Sequence, residues 1–184
     1  MKYLIASDIH GSAYYCRLLL RAWEKEQADK LVLLGDILYH GPRNDLPKEY
    51  APKEVIPMLN ACKDKVLCVR GNCDAEVDQM VLEFPIMADY AILVEQERSI
   101  FMTHGHVYNE EKLPALSEGD ILLHGHTHIP VCREHERYTY INPGSVSIPK
   151  ENSPHSYMTL EDGVFLWKDL ETGEVYKEYR LKHS

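Results

Sequence analysis

Histidine, aspartate and asparagine recur at the ends of apolar runs in this 184-residue chain. The densest case is His124-Gly125-His126-Thr127-His128, which follows Ile121-Leu122-Leu123. That order reads as a buried strand running out into a loop. If strand geometry persists past the run, His126 and His128, at i and i+2, project to one side. The glycine between His124 and His126 lets another group approach the backbone closely. Two imidazoles aimed at one point suit metal binding, since neutral imidazole is the commonest metal ligand.

Four other apolar runs end the same way, in Asp8-Ile9-His10, Gly35-Asp36, Gly71-Asn72 and His104-Gly105-His106. The donor set is therefore Asp8, His10, Asp36, Asn72, His104, His126 and His128. Seven oxygen and nitrogen donors suffice for two metals if one carboxylate bridges them. No thiolate is among them, which argues against a structural cysteine-rich zinc site. Any one of these residues alone has an ordinary use, as a helix cap or a satisfied core group. Two carboxylates and four imidazoles converging without a cation would strand polar groups in a poor dielectric. Two divalent ions about 3.5–4 Å apart clamp both the attacking and the leaving oxygen of a displacement.

The elements that must position these donors follow from periodicity. Residues 2–7 form a first strand, and Ser12 caps a helix from Ala13 to about Gln27, with Leu18, Leu19, Ala22 and Trp23 along one face. Leu31-Val32-Leu33-Leu34 suits a parallel strand covered on both sides. A Pro-rich loop from Tyr39 to Pro52 then covers the site, and the next helix is kinked or starts late at Pro57. Residues 66–70 form a third strand, 75–82 a short helix, and 90–95 and 99–103 two strands joined by a charged turn. Residues 130–142 read as a hairpin, and 156–160, 164–168 and 174–181 as an antiparallel meander turning at Asp162-Gly163 and Thr172-Gly173. A βαβ-like first half and a β-rich last third predict two packed sheets with helices outside, in one domain over 1–184. In open α/β sheets, ligands bind beyond the carboxyl ends of strands, where all seven donors fall.

Composition narrows the partners. A formal charge of −9 repels long polyanions, so no long nucleic acid partner is expected, whereas a small anionic substrate is compatible. No apolar run approaches the roughly 18–20 residues that span a bilayer. Cys16, Cys62, Cys68, Cys73 and Cys132 are odd in number and lack repeated CxxC spacing. Together with an opening that goes straight into a strand, this predicts a cytoplasmic protein.

In order, Asp8-Ile9-His10, Gly35-Asp36, Gly71-Asn72, His104-Gly105-His106 and Gly125-His126-Thr127-His128 resemble the five motifs of the calcineurin-like metallophosphoesterases. Gly41-Pro42-Arg43-Asn44, Glu76-Val77-Asp78-Gln79-Met80 and the stretch from Asn142 to Lys150 further resemble the bacterial YfcE-type phosphodiesterases of that family. The resemblance implies a four-layer αββα sandwich of two mixed sheets with flanking helices and a dinuclear site at strand C-terminal ends. It implies that Asp8, His10 and His128 hold one ion, that Asn72, His104 and His126 hold the other, and that Asp36 bridges them. Manganese is the first expectation, and the ligand types equally admit iron, cobalt, nickel or zinc. The implied reaction is hydrolysis of a small phosphodiester, with a hydroxide shared by the metals attacking phosphorus in line.

Arg43, Cys73 and His106 are the candidate catalytic helpers; Cys73 is alternatively a small half-buried filler, and His106 alternatively a group that only orients a metal ligand. Cys73 departs from the wider family, where a histidine in that place is thought to protonate the leaving group. Arg70 is a second cation that could meet phosphate, or a covered strand-end charge. His124 is expected to be structural, and His40, His135, His155 and His183 are assigned no role. Two rival functions remain on this reading. One is a non-catalytic metal-binding scaffold of the same fold, like the retromer subunit Vps29. The other is a phosphomonoesterase of the same superfamily. An even-numbered homo-oligomer is the base-rate expectation.

Overall fold

Short buried apolar runs build the first half of the chain. Strands β1 (Tyr3–Ala6), β2 (Lys30–Leu33) and β3 (Val66–Cys68) lie parallel, with Ile5 opposite Val32 and Val32 opposite Leu67. Parallel neighbours need crossovers, supplied here by α1 (Ala13–Glu26) and α2 (Pro52–Asn60). Ser12 caps α1, its hydroxyl accepting the Tyr15 N–H at 3.2 Å. Pro52 opens α2, where its missing N–H is harmless, and the helix continues through Pro57 rather than starting there. Helix α3 (Glu76–Gln79) is a single turn, shorter than the 75–82 span expected. The Gln79 amide donates to the Leu82 and Phe84 carbonyls, both at 3.0 Å, and so holds the chain that follows outside the helix. The structure is a computed structural model and describes residues 1–182, so His183 lies outside the described residues.

The second half is antiparallel apart from one parallel core. A hairpin of β4 (Tyr90–Glu95) and β5 (Arg98–Thr103) is followed by β6 (Asp120–His124) and a hairpin of β7 (Pro130–Glu134) and β8 (Tyr138–Pro143). The meander is β9 (Ser156–Glu161), β10 (Val164–Asp169) and β11 (Val175–Arg180). At its first turn Asp162 and Gly163 both have positive φ, 50° and 74°, the signature of a tight hairpin turn.

Two mixed sheets result, ordered β11-β10-β9-β1-β2-β3 and β4-β5-β6-β8-β7. Their facing sides bury Ile5, Val32 and Val69 against Met102, Ile121, Leu123 and Ile141. Each such side chain contributes roughly 1.5–3 kcal/mol on burial, which fixes the strand ends relative to one another. Helices α1 and α2 cover the outer face of the first sheet through Cys16, Leu19, Val55 and Leu59. The outer face of the second sheet buries Phe101, Leu122 and Tyr140 under Tyr108 and Leu116. Those two residues belong to irregular chain over 104–119, so the fourth layer is a loop rather than a helix. Among the described residues no helix is long and apolar enough to cross a membrane.

Candidate metal centre

Strands β1, β2 and β6 end in turns that bend the backbone sharply. Asp8 (φ 61°), His10 (48°), Asp36 (55°), His126 (65°) and His128 (62°) all adopt left-handed conformations. Such conformations cost on the order of 1–3 kcal/mol each and persist only where surrounding bonds enforce them. Here the bonds are visible. His10 N–H donates to the Asp36 carbonyl at 2.9 Å, and Lys150 N–H to the His128 carbonyl at 3.1 Å. Ser145 and Ser147 hydroxyls both donate to the Asp8 carbonyl, at 3.1 and 3.0 Å.

Strand geometry does not persist through His126 and His128, contrary to the expectation from their spacing. Strand β6 stops at His124, and Thr127 N–H closes onto the Gly125 carbonyl at 2.7 Å. The Asn142 amide, at the end of β8, fixes this turn by donating to the Gly125 carbonyl at 2.8 Å and to the Thr127 hydroxyl at 3.0 Å. The two rings therefore join different groups. Close approach at Gly125 is as expected: a Cβ there would lie 1.9 Å from Ser7 Oγ and 2.8 Å from Asp8 Oδ2.

Asp8, His10 and His128 form one cluster, and Asp36, His104 and His126 a second. Asp8 Oδ1 is 3.5 Å from His10 Nε2 and 3.2 Å from His128 Nε2. Asp36 Oδ2 lies between the clusters, 3.6 Å from His10 Nε2 and 3.3 Å from His104 Nε2. Asn72 joins the second, its Oδ1 3.1 Å from His104 Nε2, and His126 Nδ1 is 3.2 Å from the same nitrogen. All seven sequence-designated donors thus converge at two adjoining points.

The protonation pattern fits cations there. Nδ1 of His10, His104 and His128 donates to the carbonyls of Tyr39 (2.8 Å), Leu34 (2.6 Å) and Ile148 (2.6 Å). A carbonyl only accepts, so these Nδ1 atoms each carry a proton, and Nε2 of each ring is the atom turned to the centre, able to offer its lone pair to a cation there. His10 Nε2 and His128 Nε2 face each other at 3.3 Å, which two lone pairs tolerate only around a cation or a shared proton. Asp8 Oδ1 is buried with no hydrogen-bond donor.

Two buried carboxylates make the centre negative, and in the absence of a cation the facing rings answer them with protons. Burial opposes ionisation of Asp8, yet His10 and His128 hold its carboxyl well below the usual carboxylate range. Burial likewise opposes ionisation of Asp36, and His104 brings its pKa below the ordinary value. Burial also works against charge on His104, but Asp36 and Asp8 overcome it and raise the ring to about 9. Burial, then the neighbouring His104, lowers His126 to about 4, leaving a neutral ring with a free lone pair.

A cleft of about 480 Å³ opens over the centre, lined by Asp36, Asn72, His126 and His128. Arg43 and Cys73 line it too, as does Lys150, which the sequence reading did not single out. Arg70 does not line it; its guanidinium pairs with Asp89 at 2.7 Å, the covered-charge alternative. Burial and the Asp36 carboxylate push the Cys73 thiol far up. His106 lies outside the cleft, packed edge-on against His104 with ring centres 5.4 Å apart and its Nδ1 buried without a partner. His124 stacks on Tyr140 at 4.4 Å, in keeping with a structural role.

One organising residue escaped the sequence reading. Buried Asp74 accepts N–H bonds from Asp36 (2.8 Å) and Gly71 (2.7 Å) through Oδ2 and from Ile37 (2.9 Å) through Oδ1. It ties the turn after β2 to the turn after β3 and so sets the distance between Asp36 and Asn72. The available signal was a second acid three residues after a strand-end glycine, a position able to bond back to the turn. Gly71 belongs to the same device, since a Cβ there would lie 2.1 Å from Asp36 Oδ1. Asp74→Ala leaves three buried N–H groups unpaired, and each costs about 1–3 kcal/mol. A marked fall in the urea midpoint of the apo protein is expected; an unchanged midpoint would mean that water replaces the carboxylate freely.

The family model described as the calcineurin-like phosphoesterase superfamily domain matches residues 1–162. Phosphodiesterase YfcE of Escherichia coli K12 is 49% identical over 164 residues, covering 89% of each chain. A solved structure of that E. coli phosphoesterase matches with a TM-score of 0.96 and 44% identity, over 99% of this chain and 100% of that one. Vps29 of Entamoeba histolytica, solved in complex with zinc, matches with a TM-score of 0.60 and 18% identity, over 99% of this chain and 100% of that one; it shares the fold alone.

Proposed function

The chain belongs to the calcineurin-like phosphoesterase superfamily, and from that premise we propose that it is a phosphodiesterase working with two divalent ions. The observation that carries this reading is the pair of adjoining donor clusters with Asp36 between them. Asp8, His10 and His128 hold the first ion, and Asn72, His104 and His126 the second. Manganese is the first candidate, as the seven donors are all oxygen or imidazole nitrogen. When bound, two such ions acidify the water they share and offset charge on the phosphoryl oxygens.

The chain's own residues do the rest. Asp36 fixes the separation of the two clusters, and Asp74 fixes Asp36. Arg43 and Lys150, which make no ion pair among the described residues, meet the non-bridging phosphoryl oxygens from the cleft wall. His106 orients His104 from behind. Cys73 faces the reacting atoms without the acidity of an imidazolium. A complete donor set favours an enzyme over a scaffold like Vps29. Free cysteines among the described residues are in keeping with a reducing cytosol.

The test is hydrolysis of a panel of mono- and diesters by stripped protein reconstituted with each divalent metal. Diesters should be turned over only after reconstitution, and monoesters more slowly. Loading should also raise the melting temperature. A ligand at about 100 times its dissociation constant adds roughly 2.7 kcal/mol to native stability. Equal melting of stripped and loaded protein would mean that the seven side chains do not gather around a cation.

A further inference from the structure

A second hollow, of about 430 Å³, adjoins the cleft. Its walls are Tyr39, Tyr50, Ile56, Val77, Val81 and Cys73, and Cys73 also lines the cleft. The one carboxylate at its edge, Asp78, is turned to its own helix, where Oδ2 accepts the Ala75 N–H at 2.9 Å. The His40 ring stands edge-on to both Tyr39 and Tyr50, with centres 4.8 and 5.1 Å away. The wall is tied to the metal centre as well, because the Tyr39 carbonyl accepts the His10 Nδ1–H. Cys73 Sγ lies within 4.8 Å of ligating atoms of both His10 and Asp36. The hollow therefore begins one side chain from the place where phosphorus must sit.

Two spaces of similar size thus meet at Cys73 with opposite chemistry. The cleft offers Arg43, Asn44, Thr127 and Lys150. The hollow offers aromatic and aliphatic carbon. A phosphodiester has two arms, one for each space. We propose that the hollow is a subsite for a flat apolar arm, so that the substrates are asymmetric diesters with one aromatic or similarly planar arm and one polar arm. This rests on the phosphodiesterase reading above.

The probes are methyl phenylphosphonate and methyl methylphosphonate, which carry the same single charge and lack a good leaving group. Calorimetry on the manganese-loaded full chain should find the phenyl compound bound about 10-fold tighter or more, the discrimination apolar pockets typically achieve. Val77→Ser combined with Val81→Ser, at positions 64% and 41% exposed, should bring the two compounds to within about 2-fold. The same variant should leave methyl methylphosphonate, which has no arm to reach the hollow, bound as before. Thermal unfolding checks that the variant folds, and the wild-type comparison needs no variant. Equal wild-type affinity for the two phosphonates overturns the subsite while leaving diester hydrolysis standing. So does an altered oligomeric state of the variant in light scattering with the ligand ratio unchanged, which would give the face to a second copy. A wild-type chain that prefers the phenyl compound yet hydrolyses no diester sinks the phosphodiesterase reading, and the substrate subsite with it.

Discussion

Asp36→Ala is expected to lower kcat/KM for an aryl diester by at least about 100-fold and to empty both metal positions. The lower bound follows from residues that merely orient a ligand, whose loss typically costs 10–100-fold in metal affinity or activity. Asp36 does more than orient. Its Oδ2 stands 3.6 Å from His10 Nε2 and 3.3 Å from His104 Nε2, and its Oδ1 accepts the Cys73 N–H at 2.8 Å. Removing it takes the shared anion from both clusters and frees the turn that carries Asn72 and Cys73. His128→Ala and Asn72→Ala each touch one cluster. Each should keep close to one ion per chain and lose less activity. Elemental analysis beside steady-state kinetics distinguishes the cases. An Asp36→Ala protein with near-normal metal content and turnover would mean that Asp36 bridges nothing.

Much of this site was legible in the sequence because its donors follow apolar runs. Runs such as Leu31-Val32-Leu33-Leu34 are buried on both faces and leave little doubt about where each strand ends. Turn chemistry was equally plain at Asp162-Gly163. What could not be read depends on contacts distant in sequence. That β9 pairs with β1, placing Met158 opposite Ile5, joins the meander to the first sheet. Nothing local to the meander encodes that choice. The separation of His126 from His128 depends on Asn142 and on the Ile148 carbonyl, which override the alternation that spacing alone suggests. The places of Arg70, which spacing leaves open, and of Lys150, which no local pattern marks, depend on distant contacts too. Asp89 captures the arginine, while the backbone bond from Lys150 to His128 carries the lysine to the cleft. The loop over 104–119 covers the second sheet with only Tyr108 and Leu116, too sparse a pattern for any period to reveal.

Cys73→His is expected to narrow the preference for aryl over alkyl diesters by raising the alkyl rate. In-line displacement at phosphorus leaves charge on the departing oxygen. A nitrophenolate tolerates that charge unaided, whereas a simple alkoxide needs a proton or a cation. General-acid help is typically worth 10²–10⁴-fold, so the alkyl substrate stands to gain about that much while the aryl substrate gains little. Position 73 is suitably placed, with Sγ within 4.8 Å of ligating atoms of His10 and Asp36. Its thiol already takes a hydrogen bond from the Asn72 amide at 3.3 Å. A thiol is a weak donor beside an imidazolium, which is why wild type should favour aryl leaving groups strongly. The measurement is kcat/KM for matched aryl and alkyl diesters in both proteins, with metal content determined alongside. Phosphonate binding by the variant must be followed too, since the larger ring also borders the apolar hollow. If the aryl-to-alkyl ratio is unchanged while both ions and phosphonate affinity are retained, Cys73 has no bearing on leaving-group protonation. His106, packed against His104 with Nδ1 unpartnered, then becomes the group to replace next.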